Sequence, residues 1–193
     1  MMAVLTIRRL EKGDLPARVA WFNQEDAHLH MPLDVPFSLA ETEAWFSTTL
    51  LNDTRRDFVA VADGDDGESI AAMFGLVNID VRNRRAELYI LVNPMMRGQG
   101  IGRACVRWLC HYGFGCLGLN KIYLFTLSEN TEAQRFYEHL HFKLEGILRE
   151  HLYYKGSMTD RCIYGLLANE CYRLPWYDSG PLKFKIEVAS RSE

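Results

Sequence analysis

The chain has 193 residues, 48% of them hydrophobic, with 22 basic against 25 acidic side chains and a formal net charge of -3. That length suits one domain with an ordinary core, and that charge excludes a global attraction to nucleic acid or to an anionic membrane. Five cysteines, an odd set without a CxxC pair, predict reduced thiols and a cytoplasmic protein, and the first residues run from a short apolar stretch straight into charge, which predicts no export signal.

Val4 to Leu10 alternates as a first strand, and Asp14 before Leu15-Pro16 is placed to cap a helix carrying Val19, Trp21 and Phe22. The stretch Asn23 to Phe37, with His28, His30, Pro32 and Pro36, is too broken by proline for a regular element and reads as a loop. Ser38-Leu39-Ala40-Glu41 has capping-box spacing and predicts a helix to about Leu51, with Trp45, Phe46 and Leu50 inward. From Asp57 the period changes. Phe58 to Ala62, Ser69 to Ile79 and Ala86 to Val92 are strand-like runs separated by turn compositions at 63–67 and 82–85, an antiparallel meander. After Asn93-Pro94 a glycine-rich turn opens a helix from about Gly100 to Cys116, with Ile101, Ala104, Cys105, Trp108, Leu109 and Tyr112 on one face and Arg103, Arg107 and His111 on the other. Lys121 to Leu127 is a strand and Glu129 to Leu140 a helix. His151 to Tyr154 and Arg161 to Leu167 flank a Lys155-Gly156 turn as two final strands. The order β-α-α-β-β-β-α-β-α-β-β predicts an α/β domain over residues 1–170, a mixed sheet with flanking helices. Residues 171–193 have no clear period and read as an extension of unassigned role. No stretch approaches the roughly 20 apolar residues of a membrane span.

Arg97-Gly98-Gln99-Gly100-Ile101-Gly102, between a strand and a helix, can aim several free backbone N–H groups at one anion, and the helix dipole favours negative charge there. Without a Cβ at Gly98, Gly100 and Gly102 nothing holds phosphate oxygens off the main chain, and Arg97 and Arg103 can add charge-assisted bonds. Taken alone, the same residues equally make a glycine-rich turn before an ordinary helix. A nucleoside-triphosphate loop is excluded because GxxxxGK[ST] is missing. The spacing is also not GxGxxG, and the turn follows a meander instead of opening a βαβ unit, which disfavours a dinucleotide fold.

The run from Glu87 through Val92, Asn93-Pro94 and on to Gly102 resembles the signature of the GNAT N-acetyltransferases, (Q/R)xxGx(G/A) after a strand, with Arg97, Gly100 and Gly102 in its fixed positions. A second block, Asn130-Thr131-Glu132-Ala133-Gln134-Arg135-Phe136-Tyr137, is similar to that family's Asn-x-x-Ala-x-x-x-Tyr helix, and His141-Phe142 stands where Gly-Phe is usual. The resemblance covers roughly residues 4 to 170. It implies a single GNAT-like domain of mixed, mostly antiparallel sheet with a splayed cleft for acetyl-CoA, the acyl donor.

The resemblance also implies roles. The Ile90-Leu91-Val92 strand end would pair with the pantetheine arm, and the Val92 N–H would polarise the thioester carbonyl. Arg97 to Arg103, through Gly98, Gln99, Gly100, Ile101 and Gly102, would hold the pyrophosphate. Asn130 would bond the pantetheine region, and Tyr137 would be the general acid, its phenol being protonated at neutral pH. On its own, Tyr137 reads first as a core aromatic of an amphipathic helix, with Ala133, Phe136 and Leu140 on the same apolar face, and the matched block reverses that reading. Some family members carry a glutamate five residues before the matched asparagine; here that position is Phe125, so Glu87 is the substitute base, against the plainer reading of a solvated carboxylate at a strand end. His28 and His30 lack a further ligand cluster, and no metal is expected.

Phe37-Ser38 through Trp45-Phe46, Leu144 to His151, and Lys155-Gly156 through Leu167 resemble the branch of ribosomal-protein N-terminal, polyamine and amino-sugar-nucleotide acetyltransferases, with Val77-Asn78-Ile79 leaning to the amino-sugar enzymes. A small amine is therefore the expected acceptor, with Glu25, Asp26 and Asp34 able to attract it. Acetylation of protein N-termini and a non-catalytic acyl-CoA-binding module are the alternatives. A homodimer is compatible with the reading, and neither nucleic acid nor membrane is an expected partner.

Overall fold

Near-continuous apolar runs such as Phe58 to Ala62 can bury both faces of a strand only if helices cover both sides of the sheet. The computed structural model has that architecture; it describes residues 3–24, 36–64, 67–178, 180 and 182–188. The strands are β1 (Ala3–Arg9), β2 (Arg56–Gly64), β3 (Gly67–Asp80), β4 (Arg85–Val92), β5 (Lys121–Leu127), β6 (Lys143–Tyr154), β7 (Ser157–Leu167) and β8 (Lys185–Val188). The helices are α1 (Leu15–Phe22), α2 (Leu39–Thr49), α3 (Ile101–Cys110), α4 (Thr131–His139) and the short α5 (Ala168–Cys171). One sheet runs β6-β7-β5-β4-β3-β2-β1-β8. Each neighbouring pair is antiparallel except β4 and β5. The chain thus forms one mixed, mostly antiparallel sheet, as the element order predicts.

Alternation sorts the core into two layers. Phe58, Ala60, Phe74, Leu76 and Leu88 pack with Ile101, Cys105, Trp108 and Leu109 of α3 and Tyr137 of α4 on one face. Val59, Val61, Met73 and Leu91 pack with Leu15, Trp21 and Phe22 of α1 and Phe46 of α2 on the other. At about 25 cal/mol per Å² of apolar surface, both layers contribute to stability, so neither helical pair is an ornament on the sheet.

The capping box forms: Glu41 N donates to Ser38 Oγ at 3.1 Å and Ser38 N to Glu41 Oε2 at 3.3 Å. Several local expectations are corrected. Asp14 does not cap α1 with its side chain. Its carboxylate takes two bonds from Arg8, at 2.7 and 2.8 Å, and one from Glu11 N, because a buried carboxylate gains more from a guanidinium fork than from a helix end. Helix α2 stops at Thr49, and Leu50, expected inward, is 66% exposed because it lies past the last turn. α3 ends as an α-helix at Cys110 and continues as a π-helical turn over His111–Cys116. β6 begins at Lys143, eight residues before the expected start; its exposed, irregular edge hides the alternation. The tail carries a strand: β8 pairs with β1, and Trp108 Nε1 donates to Lys183 O at 2.7 Å. Residues 25–35, which hold His28, His30, Glu25, Asp26 and Asp34 of the expected loop, lie outside the described residues.

Candidate active site

The site begins where β4 and β5 part. Their parallel pairing covers Arg85↔Lys121, Ala86↔Ile122 and Glu87↔Tyr123 and then stops. Beyond Glu87, β4 keeps its ladder to β3 as far as Ala72↔Val92, and β5 keeps its ladder to β7 as far as Leu127↔Arg161. Two strands each held by a different antiparallel partner diverge with the twist of the sheet. Asn93 N donates to Ala71 O on the β3 side, so the alternation of an antiparallel ladder turns the main-chain groups of Ile90 and Val92 toward the gap. Leu91 faces the other way, with its side chain 6% exposed in the α1–α2 layer.

The chain leaves β4 through Asn93, whose Oδ1 accepts from Met95 N at 3.1 Å and whose Nδ2 donates to Ile70 O at 3.0 Å. A 3-10 turn, Pro94–Met96, leads to Gly98 and Gly100 at φ 80 and 83, the left-handed region that favours glycine. Gly100 is the N-cap of α3 and no side chain caps that end, so the first-turn N–H groups are directed at whatever anion sits there. Gly102 has a second reason to be glycine. The place a Cβ would take is 3.4 Å from Phe136 Cζ and 3.4 Å from Val92 Cγ2, where α3, α4 and β4 converge. Ile101 is 3% exposed, so only its main chain is available to a ligand; Arg97, Gly98, Gln99 and Arg103 are exposed around the turn.

Asn130 caps α4, its Oδ1 accepting from Ala133 N at 3.0 Å, which leaves its amide N–H groups as the ones it can present. About two helical turns further on, Tyr137 is buried, with its ring 5.0 Å from Phe136 and 5.8 Å from Phe142. Burial pushes its phenol up from the ordinary value, so the proton is held firmly. Tyr137 belongs to the layer containing Ala86, Leu88, Ile122 and Leu124.

Glu87 lies on the opposite face, at the last paired residue before the gap. Its Oε2 accepts from Asn78 Nδ2 at 2.8 Å, and Asn78 is set by a left-handed φ of 51 at the register shift between Val77 and Asp80. Burial and then the Glu87 charge push the Tyr123 phenol up. Further along this face Tyr89 OH donates to Asp57, which also takes two bonds from Arg55 Nε at 2.7 and 3.0 Å. Arg18 lies 4.4 Å over each of the Phe22 and Trp45 rings. Sequence alone singled out none of Asn78, Tyr89, Asp57 or Arg55 for the site, because their convergence depends on strand register. A buried phenol and a carboxylate thus sit on opposite faces of one gap, whose edge presents main-chain N–H groups and whose end is a glycine turn opening a helix without a side-chain cap.

Residues 4–143 match the family model described as an acetyltransferase (GNAT) domain. Over 161 residues the chain is 30% identical to the spermidine N(1)-acetyltransferase of Vibrio cholerae serotype O1 (strain ATCC 39315 / El Tor Inaba N16961), covering 83% of this chain and 91% of that protein. It is 28% identical over 170 residues to a putative ribosomal N-acetyltransferase of Bacillus subtilis (strain 168), covering 86% and 92%. The crystal structure of the Vibrio cholerae spermidine N-acetyltransferase in complex with CoA and spermine superposes with a TM-score of 0.79 at 28% identity, covering 88% of this chain and 98% of that one.

Proposed function

We propose, from the premise that this chain belongs to the GNAT acetyltransferase family, that its splayed β4–β5 gap brings acetyl-CoA and a small amine together, with Tyr137 and Glu87 handling the protons. The chain is an acetyl-CoA-dependent N-acetyltransferase acting on the amine of a small molecule. The observation that carries the residue assignments is the end of parallel pairing at Glu87.

In this reading the first-turn N–H groups of α3, with Arg97, Gln99 and Arg103, hold the pyrophosphate. The main chain of Ile90 and Val92 lines the pantetheine arm, with an amide N–H of Asn130 bonding to it; the Leu91 main chain is taken up by the ladder to β3. Val92 N–H donates to the thioester carbonyl oxygen, where negative charge grows as the amine nitrogen attacks. The C–N bond forms and the C–S bond breaks. Glu87, directly or through water, takes the proton that the amine loses, and Tyr137 OH donates one to the departing thiolate.

A panel of amino sugars, polyamines, aminoglycosides and short peptides, assayed by CoA thiol release, tests this. Small amines are expected to raise release well above hydrolysis of acetyl-CoA alone. Release with peptide N-termini only would favour the protein-acetylating alternative, and tight acetyl-CoA binding with no active acceptor would favour a binding module.

We also propose that residues 1–170 are the catalytic domain and 171–193 its extension, that the protein works in the cytoplasm with its five cysteines reduced, and that it forms a homodimer. Among the described residues no helix is long and apolar enough to cross a membrane. Support for the dimer is β6, an end strand whose exposed Leu144, Ile147 and Tyr153 accompany an edge without a ladder partner among the described residues, which a second copy can extend. Ile147→Lys is expected to shift the species seen by light scattering to the mass of one chain; an unchanged mass would move the interface elsewhere.

A further inference from the structure

Phe125 occupies the β5 position where the resemblance would put a glutamate, and its ring is used as a platform. The Arg161 guanidinium of β7 lies over it, Cζ 4.3 Å from the ring centroid, and the His151 ring of β6 is stacked against it at 6.4 Å and 17°. Register places Glu87 beside Tyr123 and Arg161 beside Leu127, so Glu87, Tyr123, Phe125 and Arg161 share the face of the gap opposite Tyr137. Arg161 is near enough to Glu87 for their charges to interact, yet among the described residues no ion pair and no side-chain hydrogen bond engages its guanidinium. A guanidinium lying on an aromatic ring keeps its N–H edge free, and that planar fork fits the oxygens of a carboxylate or phosphate.

We propose that Arg161 binds an anionic group carried by the acceptor, so that the preferred acceptor is an amino-carboxylate or amino-phosphate and not a pure polycation. The inference rests on the small-amine reading above. In this geometry the nitrogen lies toward Glu87 and the anion toward Arg161, each end of a zwitterion meeting the opposite charge. Arg55 and Arg18, further along the same face and, among the described residues, beside the one carboxylate of Asp57, add to the cost of seating a polycation there. An acceptor with one amine and one anion meets no such cost.

Matched acceptors test the assignment: 4-aminobutyrate against putrescine for a carboxylate, and glucosamine 6-phosphate against glucosamine for a phosphate. In at least one pair the anionic member is expected to have the higher kcat/KM, and the pair that responds identifies the anion. Arg161→Gln should raise KM for that acceptor roughly 10- to 100-fold, the range for a hydrogen bond to a charged group, and should not lower kcat/KM for putrescine, because it removes a positive charge from the same face. Arg161→Lys should restore the affinity only in part, because an ammonium lacks the fork. If Arg161→Gln fails to fold, judged by its melting temperature, the wild-type preference alone decides. Faster use of putrescine than of 4-aminobutyrate, together with glucosamine equal to or better than its phosphate, overturns the proposal. So does a folded Arg161→Gln enzyme with an unchanged preference. Turnover of cationic amines alone would defeat only the Arg161 assignment, whereas no turnover of any small amine would defeat the reading beneath it.

Discussion

Gly100→Val is expected to weaken acetyl-CoA binding by roughly 30- to 150-fold, about 2–3 kcal/mol, the loss of about one charge-assisted hydrogen bond from the turn. Two effects act together. Gly100 has φ 83, where a β-branched residue is strained by an amount on the order of 1–3 kcal/mol, so the turn is reshaped. A side chain at the N-cap of α3 also stands beside the first-turn N–H groups that are proposed to receive the pyrophosphate. Gly100→Asn separates the two, since asparagine tolerates the left-handed region. It should keep the melting temperature near that of the wild type and still bind acetyl-CoA more weakly by calorimetric titration. A folded Gly100→Val protein with unchanged affinity would remove the turn from the cofactor site.

Tyr137→Phe should lower kcat by roughly 10²-fold, within the range of general-acid catalysis, with acetyl-CoA affinity largely kept. The substitution removes one oxygen and leaves the ring against Phe136 and Phe142, so the packing that makes Tyr137 a core residue persists. Full activity would mean that water protonates the thiolate. The pH dependence is a second check. Because burial raises the phenol above its ordinary value, Tyr137 stays protonated as pH rises through neutrality. Wild-type kcat/KM should therefore climb as the acceptor amine loses its proton, without a fall due to Tyr137 below about pH 10. A falling limb between pH 7 and 9 that vanishes in Tyr137→Phe would contradict that assignment.

The free energy behind each local feature comes from near neighbours, so it was readable in the chain. The Ser38–Glu41 capping box needs only a spacing of three, the β5 strand Lys121–Leu127 only its alternation, and the left-handed Gly98 and Gly100 only the absence of a Cβ. Two blocks in order, Arg97 to Gly102 and Asn130 to Tyr137, identified the family before any coordinate. The structure brings these blocks together at Gly102, between Phe136 and Val92.

What remained hidden depended on partners distant in sequence. Asp14 has the composition of a cap, yet Arg8 on β1 claims its carboxylate. The residues Lys185–Val188 are too few to show a period, and they become a strand because β1 offers an unpaired edge. Arg161 looked like one more alternating strand residue until the pairing of β5 with β7 set it over Phe125. By itself the sequence determined the acyl donor, through the family resemblance carried by the blocks Arg97 to Gly102 and Asn130 to Tyr137, because each block is a local run of residues. Only the tertiary structure brought Glu87, Phe125 and Arg161 onto one face of the gap, because they come from three strands whose register no local pattern encodes.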